Sequence, residues 1–134
     1  MAFINFQPKD YFKTVTYTGD ESGQTITVGF QPDFTWIKTR DGAYNHQLVD
    51  AVRGNTKYLK SNATDAENTS TNAVTGFVSS GFTLGADTNA WVNQNSKNIV
   101  SWNWKANGAG SANTDGSINT TATSANTTAG FSIC

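Results

Sequence analysis

Ten carboxylates, one histidine and one cysteine are the side chains of this 134-residue chain best suited to making or breaking bonds. Cleavage of a glycosidic bond needs two carboxyl groups flanking the scissile linkage. The only glutamates, Glu21 and Glu67, both fall in polar turn segments, and the eight aspartates almost all neighbour Gly, Pro, Asn or Thr. Aspartate in such places usually caps a turn through its own side chain. No acidic residue sits inside a hydrophobic run that would raise its pKa, so no catalytic residue is assigned. Asp50, between Val49 and Ala51 and three residues before Arg53, is the exception. It reads as an ion pair with Arg53 or a lysine at a sheet edge, against the alternative of a polar ligand contact.

His46 and Cys134 stand alone in the sequence. A zinc site needs several such ligands converging on one point, and a residue at a chain end is seldom held rigidly enough to act as a nucleophile. Oxygen ligands crowd around Asp65 and Glu67, but the spacing matches no EF-hand loop, which leaves at most a weak calcium site. No metal or other cofactor is otherwise expected. The remaining candidates are aromatic. Trp91 lies in Asp87–Asn95, a stretch that reads as a loop tip with Asn93 and Asn95 close by. An apolar face rimmed by amides is what stacking on a sugar requires. Tyr44, in a Gly-Ala-Tyr-Asn-His segment, is a second candidate of the same kind; folding back onto the sheet edge competes with both assignments.

The elements that would position these residues are short strands. Thr, Asn, Gly and Ser supply 20, 15, 12 and 11 residues, whereas Leu, Met and Glu number three, one and two. Straight-chain helix formers are therefore scarce, which excludes an all-α fold. Sixteen aromatics speak against disorder. A charged fraction of 14% with a net charge of −1 gives no electrostatic basis for nucleic-acid binding. No apolar run is long enough for a membrane-crossing helix, and Met1–Asp10 carries no secretory signal pattern.

Strand patterns recur at Tyr11–Tyr17, Thr25–Phe30, Phe34–Thr39, Lys57–Lys60 and Ile99–Trp104, with two short strands around a bend in Val74–Leu84. Asn45–Arg53 fits period two or a helical stripe, and its β surroundings favour a strand. Ser61–Asn72 reads as a polar loop. About eight short strands at this spacing predict an antiparallel β-sandwich of jelly-roll or concanavalin-like lectin type. Phe34, Trp36, Phe82, Trp102 and Trp104 sit inside alternating runs and are assigned to its core. By composition, residues 1–10 form a lead, 11–105 the sandwich and 106–129 a polar linker or extended arm. Residues 106–129 have one charge, Asp115, and one large apolar side chain, Ile118. Structure-forming residues return at 130–134.

Four strings, VGFQPDFTWIK (28–38), NHQLVDAVRGNTKYL (45–59), SSGFTLG (79–85) and VSWNWKANG (100–108), resemble in order a module of large structural proteins of marine tailed bacteriophages. Those proteins are usually labelled tail-fibre-like or virion structural proteins and often carry the module in tandem. The opening MAFINFQPKDYFKT resembles the start of one, and NTTAGFSI resembles the opening of a next repeat. On that likeness residues 130–134 are the start of a truncated second repeat, an orphan strand suited to a neighbouring subunit. The resemblance implies a virion location, exposed on the particle after assembly in the host cytoplasm, and no catalytic residues. The expected function is a non-enzymatic virion structural protein, either tail-fibre or adhesin-like or a capsid decoration, with homo-oligomers and other virion proteins as partners. The alternative is a module recognising host surface glycan, and a polysaccharide-cleaving enzyme is a third class.

Overall fold

Alternating β-branched and aromatic residues, cut by Gly, Pro, Asn and Asp, favour strands too short to stand alone, which must stack to bury one face each. In the computed structural model residues 7–88 and 91–134 are described. A one-turn 3-10 segment, Pro8–Asp10, leads into β1 Phe12–Thr18, β2 Gln24–Thr27, β3 Phe34–Thr39, β4 Gln47–Asp50, β5 Lys57–Tyr58 and β6 Asn68–Thr69. Then come β7 Val74–Val78, β8 Gly81–Leu84, β9 Asn98–Trp104, β10 Ser111–Asn113, β11 Thr120–Asn126 and β12 Phe131–Ile133. The expected lead falls partly at residues 1–6, which lie outside the described residues. No α-helix occurs among those described, and Asn45–Arg53 resolves as a strand followed by a turn.

Two antiparallel sheets form the sandwich. One has the order β1-β9-β3-β4 and the other β2-β8-β7. Ile37, Val49 and Ile99 from the first pack against Ile26, Val74, Phe82 and Leu84 from the second, with Val15 and Tyr17 at the margin. Phe82 is fully buried, in keeping with its core assignment. Burying side chains of this size supplies about 1.5–3 kcal/mol each. At Gly81, a Cβ would lie 1.9 Å from the Ile26 carbonyl oxygen, so only glycine lets β8 approach β2 this closely. The β2 strand ends before the expected Phe30, and Gly29 follows it at φ +100°.

The other four core assignments are corrected. Phe34, Trp36, Trp102 and Trp104 do share faces as the alternation requires, but that face points away from the second sheet. The inward positions of β3 are Thr35, Ile37 and Thr39, and those of β9 are Ile99, Ser101 and Asn103, all buried. Most buried polar groups take hydrogen-bond partners, although Thr35 Oγ1 and Asn103 Oδ1 have none among the described residues. Asn103 Nδ2, for example, donates to the Lys13 carbonyl at 3.0 Å and to Ser101 Oγ at 3.0 Å.

The expected extended arm is also replaced by regular structure. Within residues 106–129, β10 and β11 pair antiparallel, and β12 then pairs with β11 through Ser124–Ile133, Ala125–Ser132 and Asn126–Phe131. The physical reason is that Thr-rich sequence makes an acceptable ladder when its main-chain groups pair, and the small sheet is tied down. Ser124 Oγ accepts the Asn107 N–H at 2.8 Å, and Asn126 Nδ2 donates to the Lys105 and Ala106 carbonyls. The expected orphan strand thus finds its partner inside the chain.

Candidate functional site

Cross-strand register on the outer face of the four-stranded sheet brings the aromatics together. Phe12, Trp104 and Phe34 are direct neighbours across β1, β9 and β3, and Thr14, Trp102, Trp36 and Leu48 form the next row. Ring centroids are 4.9 Å apart for Phe12–Trp104, 5.3 Å for Phe34–Trp104 and 5.8 Å for Trp36–Trp102. Interplanar angles of 61° and 60° in the last two pairs are the edge-to-face arrangement that ring quadrupoles favour. Phe131 of β12 continues the face, 6.0 Å from Trp104 and stacked on it at 22°.

Two depressions mark this surface. A cleft of about 150 Å³ is lined by Trp36, Trp102 and Trp104. Beside it a groove of about 270 Å³ runs between Tyr11, Phe12 and Trp104 on one side and Ala129, Gly130 and Phe131 on the other. The three tryptophans are half-buried, so each keeps ring surface open to an incoming group. Trp36 Nε1 donates to His46 Nδ1 at 2.8 Å. That bond requires the proton of neutral His46 to sit on Nε2. Burial, with a smaller contribution from the Lys38 ammonium, holds the His46 imidazole below its usual pKa. Lys38 follows Trp36 on the same face, and its ammonium donates to the Thr39 carbonyl and, at 2.9 Å, to the Gly42 carbonyl.

The sequence-derived ligand residues part company. Tyr44 and Trp91 do meet, stacking at 4.5 Å and 18°, so each ring covers one face of the other. At Gly42, a Cβ would come within 2.9 Å of the Tyr44 ring, which explains the glycine there. Trp91 takes φ +67°, a strained conformation for a bulky residue. Its carbonyl accepts from Thr39 Oγ1, and the next two N–H groups both reach Asp87 Oδ2. Asn89 and Ala90 of the same loop lie outside the described residues. Asn95 is exposed, and its side-chain oxygen accepts from Ser96 Oγ at 3.3 Å.

Asn93 is corrected from rim to interior. Fully buried, it donates through Nδ2 to Asp20 Oδ1, the Ser22 carbonyl and the Gly85 carbonyl, while Oδ1 accepts from Asp20 N–H and Gln24 Nε2. A polar loop residue read from sequence as a ligand contact is in fact the clasp joining three turns.

Carboxylates elsewhere are engaged in local structure. Asp50, buried, accepts the Val52 and Arg53 N–H groups on Oδ1 and the Arg53 guanidinium on Oδ2, in line with the expected ion pair. Asp33 Oδ2 accepts the Ala106 N–H at 2.8 Å. The Ser22 N–H holds Asp20 below the usual carboxylate range, and the Asn98 N–H does the same for Asp41. Burial, reinforced by the nearby Asp87, pushes the Tyr17 phenol well up; its hydroxyl donates to the Val92 carbonyl at 2.7 Å. At the calcium candidate, Asp65 pairs with Lys60 at 2.6 Å and Glu67 with Lys57 at 2.9 Å. Among the described residues no three His, Cys, Asp or Glu side chains converge.

The candidate surface is thus the tryptophan face, which the alternation had assigned to the core. Its residues were visible as alternating stripes, and only the packing of the second sheet decides which stripe turns inward. Neither a curated protein nor a solved structure matches the chain. Over residues 7–134 it matches, and therefore belongs to, the family described as a domain of unknown function, DUF7483.

Proposed function

We propose that this chain is a non-enzymatic surface module of a bacteriophage virion, of tail-fibre, adhesin or capsid-decoration type, that works by associating with further copies of itself. The observation that carries this reading is the outward placement of Trp36, Trp102 and Trp104 around one cleft. A contiguous aromatic surface on an otherwise polar sandwich marks a contact site, and aromatic anchors dominate protein interfaces. The likeness of the ordered motif strings to a phage structural module supports the virion setting. Low net charge limits repulsion between packed copies. The capping roles of Asp33, Asp50 and Asp87 support a structural rather than a catalytic use of the buried acids.

The cleft favours a protein partner over a sugar. A glycan site pairs a ring face with polar groups for the hydroxyls, whereas only indoles line this cleft, and the Trp36 N–H is already given to His46. The experiment is sedimentation equilibrium of the purified chain across its soluble range, combined with antibody labelling of intact particles. Concentration-dependent association, weakened by Trp102→Ala, together with labelled particles is the expected result. A chain that stays monomeric and leaves particles unlabelled overturns the reading. Binding on a glycan array that disappears in Trp91→Ala would replace it with host-glycan recognition at Tyr44 and Trp91.

A further inference from the structure

Two large apolar side chains stand exposed among the described residues, Phe12 at 38% and Ile118 at 83%. Phe12 rims the tryptophan face. Ile118 lies on the turn between β10 and β11, in a stretch that is otherwise polar or small. The start of that turn is organised: Asn113 Oδ1 accepts the Asp115 N–H at 2.9 Å, a side-chain-closed turn. An isoleucine presented to water on a hairpin tip contributes nothing to its own core.

We infer that Ile118 of one copy seats in the Trp36–Trp102–Trp104 cleft of a second copy, joining the chains head to tail. The inference rests on the self-association reading and names its partner surface. Size and chemistry agree. The cleft is an open depression of about 150 Å³ walled by three indoles, with room for a four-carbon side chain to lie against them. No carboxylate, amide or hydroxyl side chain lines it, so an aliphatic occupant leaves no polar group unpaired, as a sugar would. Charge agrees too. Asp115, the only charged residue between 106 and 134, lies three residues before Ile118, and Lys38 follows Trp36 on the cleft's face of β3. Because plug and socket are different surfaces, the contact is heterologous and propagates into a ring or filament rather than closing as a two-fold dimer. One plug covers far less than the roughly 800 Å² per partner of a standard interface, so the association is weak and concentration-dependent.

The test uses the whole chain in three forms, wild type, Ile118→Asp and Trp102→Asp, each confirmed folded by circular dichroism and examined by sedimentation equilibrium. Wild type is expected to form species beyond a dimer. Ile118→Asp, altered only at an exposed tip, is expected to associate about 10- to 100-fold more weakly. Ile118→Asp keeps a socket and Trp102→Asp keeps a plug, so mixing them should give a capped one-to-one dimer at concentrations where neither associates alone. If Trp102→Asp fails to fold, Trp36→Ala takes its place, with the same mixed dimer expected. Wild-type-strength association of Ile118→Asp overturns the plug while leaving self-association standing. A monomeric wild type overturns both.

Discussion

Trp36 and Trp102 face each other directly across β3 and β9, centroids 5.8 Å apart, on the side of the sheet that the second sheet does not cover. Their pairing is therefore a surface feature held by strand register rather than a core contact. Removing one ring should separate stability from association. Phe82→Ala, at a fully buried site, is expected to cost about 3–5 kcal/mol in urea unfolding. Trp102→Ala, at a half-buried one, is expected to cost about 1–2 kcal/mol, since less area returns to water. Equal costs for the two variants would mean that the tryptophan belongs to the core.

Asn93 should behave as a structural clasp. Asn93→Ala removes its hydrogen bonds to Asp20, to the Ser22 and Gly85 carbonyls and to the Gln24 amide, each worth about 0.5–1.5 kcal/mol net; the Gly85 carbonyl keeps the Asp87 N–H and the Gln24 amide keeps the Thr18 carbonyl. The expected loss is about 3 kcal/mol in a thermal or urea melt. Asn93→Asp should fare no better despite its near-identical shape. It replaces the amide donor with a carboxylate facing Asp20 Oδ1 and two carbonyls. Wild-type stability in either variant would remove the residue from this role.

The contrast between Asn93 and Phe82 shows how far the sequence was legible. Strand positions and the all-β class followed from residue alternation because the period of two is a backbone property that survives any packing. The side on which each stripe lies is a property of the partner sheet. FTWIKT offers Phe34, Trp36 and Lys38 on one face and Thr35, Ile37 and Thr39 on the other. Bulk favours the first as core, and the structure buries the second. The C-terminal ladder was hidden for a related reason. Its stability comes from main-chain pairing and ties such as Asn107 to Ser124, which composition does not register. Tyr44 and Trp91 read from sequence as candidate sugar-stacking rings, and their mutual stacking depends on two loops 47 residues apart meeting in space.

That stack gives a quantitative expectation. In a double-mutant cycle of Tyr44→Ala and Trp91→Ala, the coupling energy should be about 0.5–1.5 kcal/mol, the range for aromatic pairs beyond area burial. Gly42→Ala should reproduce part of the loss, because its methyl group would push the Tyr44 ring from the position where it meets Trp91. Additive single-mutant costs, with no coupling, would show that the rings do not support each other in solution.

His46 links pH to the tryptophan face. Neutral His46 accepts the Trp36 N–H on Nδ1, and burial and Lys38 together depress its pKa in the fold. A lowered folded-state pKa means that the unfolded chain binds the proton more readily below the ordinary value of 6.5. Stability from this group is therefore complete above that value and is lost as pH falls through the folded-state pKa. Asp20 and Asp41 are lowered from 3.8, so their loss falls at more acidic pH, and Lys60 is raised from 10.5, so its loss falls in alkali. Below 6.5 and above the range of the aspartates, the titration is thus left to the single histidine among these groups. Acidifying through it should lower the melting temperature and shift tryptophan emission together, as the doubly protonated imidazole can no longer accept from Trp36. In His46→Gln both changes should flatten over that window. A pH response that persists unchanged in His46→Gln would place its origin elsewhere.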